Sequence, residues 1–215
     1  MKIIDLTHTL ETGMPVFPGD TAPSFKKVMI HKKDGAQVIR MDIATHHGTH
    51  IDCPKHFFEN GKTTDSSTLD NFYGKALMLD CTGFGKNEQI PVDFIINSNV
   101  NWKEFSWVVI YTGWYKYWGT QKYLDHFPVL SPEAAKYFQS MGIKGIGLDV
   151  ISIDAIDSVD YPIHNIVLGN GMNIIENLTN LHSIGTNQFT LSALPLKIED
   201  GDGSPIRAVA IEDSL

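Results

Sequence analysis

Between positions 46 and 57 the chain reads His46-His47-Gly48-Thr49-His50-Ile51-Asp52-Cys53-Pro54-Lys55-His56-Phe57, with His46, His50, Asp52 and His56 all at even positions. Metal chemistry is the natural reading. In an extended segment alternate side chains share a face, so His46, His50 and Asp52 point the same way and converge on one ion. Imidazole nitrogen and carboxylate oxygen are donors that zinc, manganese or iron accept, and packing alone gives no reason to place three of them on one strand face. Upstream, Ile39, Met41 and Ile43 are apolar while Arg40 and Asp42 are polar, which predicts a strand whose non-core face the ligands continue. Gly48 removes a side chain where the backbone must bend or approach an ion. Pro54 ends ladder pairing, so alternation does not place His56. Isolated histidines are ordinarily surface or satisfied core residues, and His8, His31, His126 and His182 are read that way. His47 has core-face parity and is structural. Cys53 has the wrong parity for a ligand and reads as a small buried apolar side chain.

Catalytic metal sites draw further ligands from elsewhere, and the second half offers Tyr161-Pro162-Ile163-His164 followed by Leu168-Gly169-Asn170-Gly171-Met172-Asn173-Ile174-Ile175-Glu176-Asn177-Leu178. The two glycines argue against one continuous helix. We place His164 on a loop or short helix and begin a strand near Met172, on which Met172, Ile174, Glu176 and Leu178 share a face. A carboxylate on an apolar face costs several kcal/mol unless it is neutralised or a cation compensates it. A helix carrying a solvated Glu176 is the competing reading.

The pattern His46-x-Gly48-Thr49-His50-x-Asp52-x-Pro54-x-His56-Phe57 resembles the signature of the cyclase family of metal-dependent hydrolases, whose best-known members are bacterial kynurenine formamidases. The segments Ile4-Asp5-Leu6-Thr7-His8 and Met14-Pro15-Val16-Phe17-Pro18-Gly19-Asp20 resemble the family's amino-terminal part. Glu176-Asn177-Leu178 and Leu194-Pro195-Leu196-Lys197 resemble its carboxy-terminal half, so nearly the whole chain is covered. The resemblance implies two divalent ions, zinc with manganese as the alternative. His46, His50 and Asp52 would hold one, Asp52 would bridge to the second, His164 would complete the second and Glu176 would bridge both. It implies His56 as a proton shuttle off the metal. It also implies a swivelling β/β/α fold, a homodimer or higher homo-oligomer, and hydrolysis of N-formylkynurenine to kynurenine and formate. One departure bears on the substrate: Phe17 stands where formamidases carry a substrate-contacting tryptophan. Other amides, cyclic imides of the isatin type and lactones therefore stay open.

The chemistry is self-consistent. Divalent ions acidify a bound water and polarise a carbonyl. A leaving amine must be protonated as it departs, and a histidine, with a side-chain pKa of about 6.5, suits that proton transfer.

Composition fits a compact enzyme. The 215 residues are 42% hydrophobic, enough for the core of one domain spanning 1–215. Formal net charge is -8 and no basic run is long enough to track a phosphate backbone, which argues against nucleic acid as a partner. The opening Met1-Lys2-Ile3-Ile4-Asp5 lacks a signal-peptide core, and no stretch approaches the roughly 20 apolar residues of a membrane span. Cytoplasmic residence is expected, and two cysteines, Cys53 and Cys81, are too few for a disulfide framework. The absence of a G-x-S-x-G elbow argues against a serine nucleophile.

The elements that must carry the site alternate in type. Lys75–Asp80 and Trp107–Tyr111 read as short buried strands. Ser131-Pro132-Glu133 opens a helix through Phe138 that Gly142 ends, and Gly145–Val150 returns as a strand. This order predicts an α/β domain. Asp200-Gly201-Asp202-Gly203-Ser204 resembles the start of a calcium loop but lacks its later glycine and glutamate. We read it instead as a turn joining Leu194–Ile198 to Ile206–Ala210 in a hairpin. Trp114-Tyr115-Lys116-Tyr117-Trp118 is expected to wall the substrate pocket or line a subunit interface.

Overall fold

A computed structural model describes residues 1–212. Its frame is a nine-stranded mixed sheet. In spatial order the strands are Lys2–Asp5, Val209–Glu212, Gln188–Ser192, Tyr73–Asp80, Trp107–Tyr111, Gly145–Leu148, Asn173–Glu176, His50–Asp52 and Gly203–Pro205. The middle four run parallel, and parallel strands are buried on both faces. Trp107–Tyr111 shows why its sequence is apolar throughout: Val108 and Ile110 enter one core, Trp107 and Val109 the other.

The first core lies beneath the helices. Pro132–Ser140 starts as expected, with the Ser131 hydroxyl accepting from the Ala134 amide and proline in the first turn, and it buries Ala134, Ala135 and Phe138. Pro162–Gly169 buries Ile163, Val167 and Leu168 beside it. The second core is made by strands and loops alone. It joins Ile4 and Ile51, whose strands stand near opposite ends of the order, so the sheet curls back on itself. The seam is hydrogen-bonded, the Leu6 amide donating to Ala208 O (2.9 Å) and the Thr179 amide to Leu6 O (3.0 Å). This is the expected α/β architecture, in the swivelling β/β/α arrangement.

Four expectations need correction. Val38–Asp42 is a strand, but it does not lead into the ligand strand: it pairs only with Ser24–Met29 in a separate, exposed two-stranded ribbon. The chain turns between Ala44 and Gly48, so His46 is not on a strand. Leu178 does not share the face of Ile174, because Asn177 at φ 58° interrupts the alternation and sends Leu178 into the second core. The expected hairpin of 194–198 with 206–210 is reduced to one bridge, Pro195 to Ile206. Gly203–Pro205 instead pairs antiparallel with His50–Asp52. Glycine permits it, since a Cβ on Gly203 would lie 2.7 Å from Ile51 O and 2.8 Å from the His46 ring. The pocket-wall reading of the aromatic run 114–118 is the fourth case. Trp114 is buried with its Nε1 donating to Tyr123 O, Trp118 stacks on His8, and none of the five residues lines the cavity described below.

Candidate metal centre and active site

Three distant segments deliver the donors. His50 and Asp52 sit on the strand that Asn173–Glu176 and Gly203–Pro205 flank, and the pairing sets Glu176 opposite His50. His50 Nε2 lies 3.2 Å from Asp52 Oδ1 and 3.5 Å from Glu176 Oε2. Its Nδ1 donates to Gly48 O (2.9 Å), which fixes the ring with Nε2 inward. Gly48 has to be glycine: its φ is +67°, and a Cβ would meet Leu10 Cδ2 at 2.4 Å.

His46 reaches the same place from its turn. Its Nδ1 is 2.7 Å from Asp52 Oδ1 and its Nε2 2.8 Å from Asp202 Oδ2. His164 comes from the first turn of the Pro162–Gly169 helix. Its Nε2 is 3.6 Å from Glu176 Oε1 and 3.8 Å from Asp52 Oδ2, while Nδ1 donates to Asp154 Oδ2 at 2.7 Å. His56 ends a short 3₁₀ turn, stacks on His46 with centroids 3.9 Å apart and puts Nδ1 3.5 Å from Asp202 Oδ2. The structure thus brings His46, His50, Asp52, His56, His164 and Glu176 to one place. Two sets offer ligand atoms within 4.8 Å of one another: His50, Asp52 and Glu176, and His46, Asp52 and His56.

The electrostatics call for a cation. Burial lifts the Glu176 carboxyl well above its usual range, and the neighbouring Asp52 charge adds to the rise. Burial would lift Asp52 as well, yet His50 and His46 outweigh it and hold that carboxyl well below the usual range. At His46 burial opposes the charge, but Asp52 and Asp202 prevail and push the ring up to about 10. Hydrogen bonds from His46 and then His56 pull Asp202 down. Two carboxylates and two imidazoles buried together beside the half-buried His46, with one acid forced toward neutrality by burial, form a donor set that fits divalent ions.

Sequence reasoning missed the residues that support these donors. Asp154 accepts from the backbone amides of Ile163 and His164 (2.9 Å each) as well as from His164 Nδ1, so one carboxylate caps the helix and orients the ligand. Asn177, directly after Glu176, donates its amide to Gly48 O (2.9 Å) and accepts from the Tyr123 hydroxyl (2.7 Å). Asp202 sits in the run read as a turn. Tyr161 precedes the helix at φ 45°, an uncommon backbone for a tyrosine, with its ring edge toward Phe57 and His164. Of the residues expected to be structural, Cys53 is fully buried and His47 accepts from the Ala44 amide through Nδ1.

The donors floor a cavity of about 530 Å³. Phe17, Phe57, Tyr161, Val16 and Ile151 wall it, and Phe57 lies flat on His164. The lining holds no lysine or arginine among the described residues. Such a cavity admits a small molecule with a flat apolar body and a polar reacting end.

Fold and site together define a hydrolase centred on a histidine and carboxylate donor set. The chain belongs to the cyclase family: residues 4–155 match the family model described as "Putative cyclase". The chain is 32% identical over 213 residues to a kynurenine formamidase of Erythrobacter litoralis, covering 98% of this chain and 94% of that one. It superposes with TM-score 0.90 and 26% identity on an isatin hydrolase bound to the product analogue thioisatinate, covering 99% and 93% of the two chains. A structure described as a potential metal-dependent hydrolase with cyclase activity matches at TM-score 0.81 and 26% identity, covering 100% and 99%.

Proposed function

We propose that this chain is an arylformamidase that hydrolyses the formamide of N-formylkynurenine, releasing kynurenine and formate. The observation that carries the proposal is the convergence of His46, His50, Asp52, His164 and Glu176 on the floor of an aromatic-walled cavity, with His56 beside them. These five residues would hold two divalent ions per chain, zinc by the preference of mixed imidazole and carboxylate donors. Bound there, divalent ions supply a water acidified to near neutrality and a Lewis acid for the carbonyl.

The protein's own residues do the rest. Phe17, Phe57 and Tyr161, which line the cavity, pack against the flat body of the substrate. Asp202 lies beside both His46 and His56, so it steadies a charged His56 ring when that ring has taken a proton. His56 then returns the proton to the departing amine, which is too basic to leave as an anion.

Hydrolysis of a cyclic amide of the isatin type is the second reading. The lack of a lysine or arginine in the lining favours it, because a kynurenine carries a free carboxylate that such a cation would answer. A hydrolysis screen of the metal-loaded protein separates the two: formate release from N-formylkynurenine supports the first, ring opening of isatin the second. Failure on every amide, imide and lactone offered would leave a metal-binding protein and refute both. We further infer one catalytic domain over residues 1–215, working in the cytoplasm as an assembly of identical chains. The cysteines Cys53 and Cys81, both buried and free, suit a reducing compartment.

A further inference from the structure

Asp20 is the acid of the cavity that the hydrolytic machinery leaves unused. The lining carries three carboxylates, Asp20, Asp52 and Glu176, and no lysine or arginine among the described residues. Asp52 and Glu176 are buried and belong to the metal donor set, and the lining histidines are donors too or, in His56, the proton carrier. Asp20 differs from them in place. It is exposed while it lines the cavity, so it stands where the cavity opens to solvent, with the donors at the buried end. Its carboxylate accepts no hydrogen bond and meets no cation among the described residues.

The backbone holds that carboxylate in a defined place. Phe17-Pro18-Gly19-Asp20 is a tight turn closed by the Asp20 amide, which donates to Phe17 O (3.0 Å), and the Pro18 ring fixes one of its central torsions. The turn thereby delivers an aromatic ring and an acid to one cavity. A substrate whose carbonyl reaches the buried donors has its far end at the opening, beside Asp20. An unpaired acid there attracts a cationic tail and repels an anionic one, and the formal net charge of -8 on the whole chain adds to that preference.

We propose that Asp20 is a specificity residue that receives the cationic end of the substrate, so that the preferred substrates are aryl formamides whose side chain carries an ammonium group. The proposal rests on the formamidase reading and adds the charge of the end that does not react. The formyl group lies at the donors, the aryl ring against Phe17 and the ammonium at Asp20. A carboxylate on the same side chain, as in N-formylkynurenine, meets no lysine or arginine in the lining and offsets part of the gain. The tail takes no part in bond breaking, so Asp20 acts on binding and its effect falls on KM more than on kcat.

Three 2-formamidophenyl ketones test it on the metal-loaded full chain: one with an aminoethyl tail, one with a carboxyethyl tail, and N-formylkynurenine, which carries both charges. Formate release gives kcat/KM for each, and the ratio of the amine-tailed to the acid-tailed substrate does not depend on what fraction of the enzyme is folded and loaded. A partly exposed ion pair is worth a factor of about 1.5 to 5. Attraction of one tail and repulsion of the other multiply, so the wild-type ratio should be about 2 to 25, with N-formylkynurenine between the two. Asp20→Asn should bring the ratio down toward one, chiefly through KM, Asp20→Lys should invert it, and high salt should shrink the wild-type ratio. A wild type that prefers the acid-tailed ketone, or a ratio that both Asp20 variants leave unchanged, overturns the proposal while the formamidase reading stands. Formate release from none of the three overturns both.

Discussion

Replacing Asp154 by asparagine isolates the control of one ligand's orientation. The carboxylate accepts three hydrogen bonds, from the Ile163 amide, the His164 amide and His164 Nδ1. With Nδ1 as donor, the proton is off Nε2, the nitrogen that faces Glu176 and Asp52 at 3.6 and 3.8 Å. An asparagine keeps an oxygen for the Ile163 amide but puts N–H where Oδ2 accepted from both the His164 amide and Nδ1. The imidazole answers by accepting there and carrying its proton on Nε2, which removes the lone pair from the metal side. Losing a charge-assisted buried hydrogen bond costs about 1.5–3 kcal/mol. Removal of a ligand's supporting partner lowers metal affinity or activity about 10- to 100-fold, the same energy range by a separate route. We expect Asp154→Asn to lose that much affinity for the more weakly held ion and a comparable part of turnover while the helix stays formed. Chelator competition gives the affinity, and hydrolysis rates at limiting and saturating metal give the activity. Asp154→Ala, which also removes the cap, should destabilise the protein by about 1–2 kcal/mol more in urea. Affinity and turnover of Asp154→Asn within twofold of wild type would refute the claim that Asp154 sets the state of His164.

Three further outcomes are expected. His56→Ala should keep its ions and lose on the order of 10²- to 10⁴-fold in turnover on an amide, as a general acid and base should; loss of an ion in parallel would make His56 a ligand alongside His46 and Asp52. Glu176→Gln keeps an oxygen for the Ile153 amide but removes the shared charge, so elemental analysis should show a fall from two ions per chain, and a wild type that never exceeds one ion with no change on substitution would defeat the two-ion assignment. Asp149 is fully buried, and burial raises its carboxyl from 3.8 to about 6 against the hydrogen bonds from Thr112. The folded state therefore takes up this proton first, and its stabilising effect is present at low pH and lost as pH rises through about 6. At 1.36 kcal/mol per pKa unit the whole span is worth about 3 kcal/mol, of which about 2.4 kcal/mol falls between pH 4 and 7.5, so Asp149→Asn should gain that much relative to wild type over this range; a urea-denaturation difference that stays constant with pH would rule this out.

The donors were legible because their chemistry is carried by residue type and short spacing. Glu176 stood out as a carboxylate among Met172, Ile174 and Ile175, and the helix at Pro132–Ser140 announced itself by its cap. Trp107–Tyr111 read as buried because neither face carries a polar side chain. What supports the donors was not legible. Asp154 caps a helix from eight residues before its first turn, and Asp202 reaches His46 across 156 residues, so no local pattern marks either. The strand expected before His46 failed for a different reason: Ile39 and Met41 have the alternation of a core strand, but that face points away from this chain's own core. Leu178 was misplaced by one residue, Asn177, whose positive φ breaks the period of two on which the reading depended. The aromatic run 114–118 was expected to wall the pocket or line a subunit interface; it stays out of the pocket because Trp114 fills the core and Trp118 rests on His8.

The position of the His50–Asp52 strand also sets a timetable for the molecule's birth. It belongs to the first quarter of the chain, yet both its neighbours, Asn173–Glu176 and Gly203–Pro205, emerge from the ribosome more than a hundred residues later. At about 5–20 residues per second that interval is many seconds, during which the strand has no partner and its histidines and aspartate no enclosing walls. Closure of the sheet must wait for Val209–Glu212, the strand that Lys2–Asp5 pairs with. A nascent chain that met a metal ion before Glu176 was made would hold it with only part of its donors.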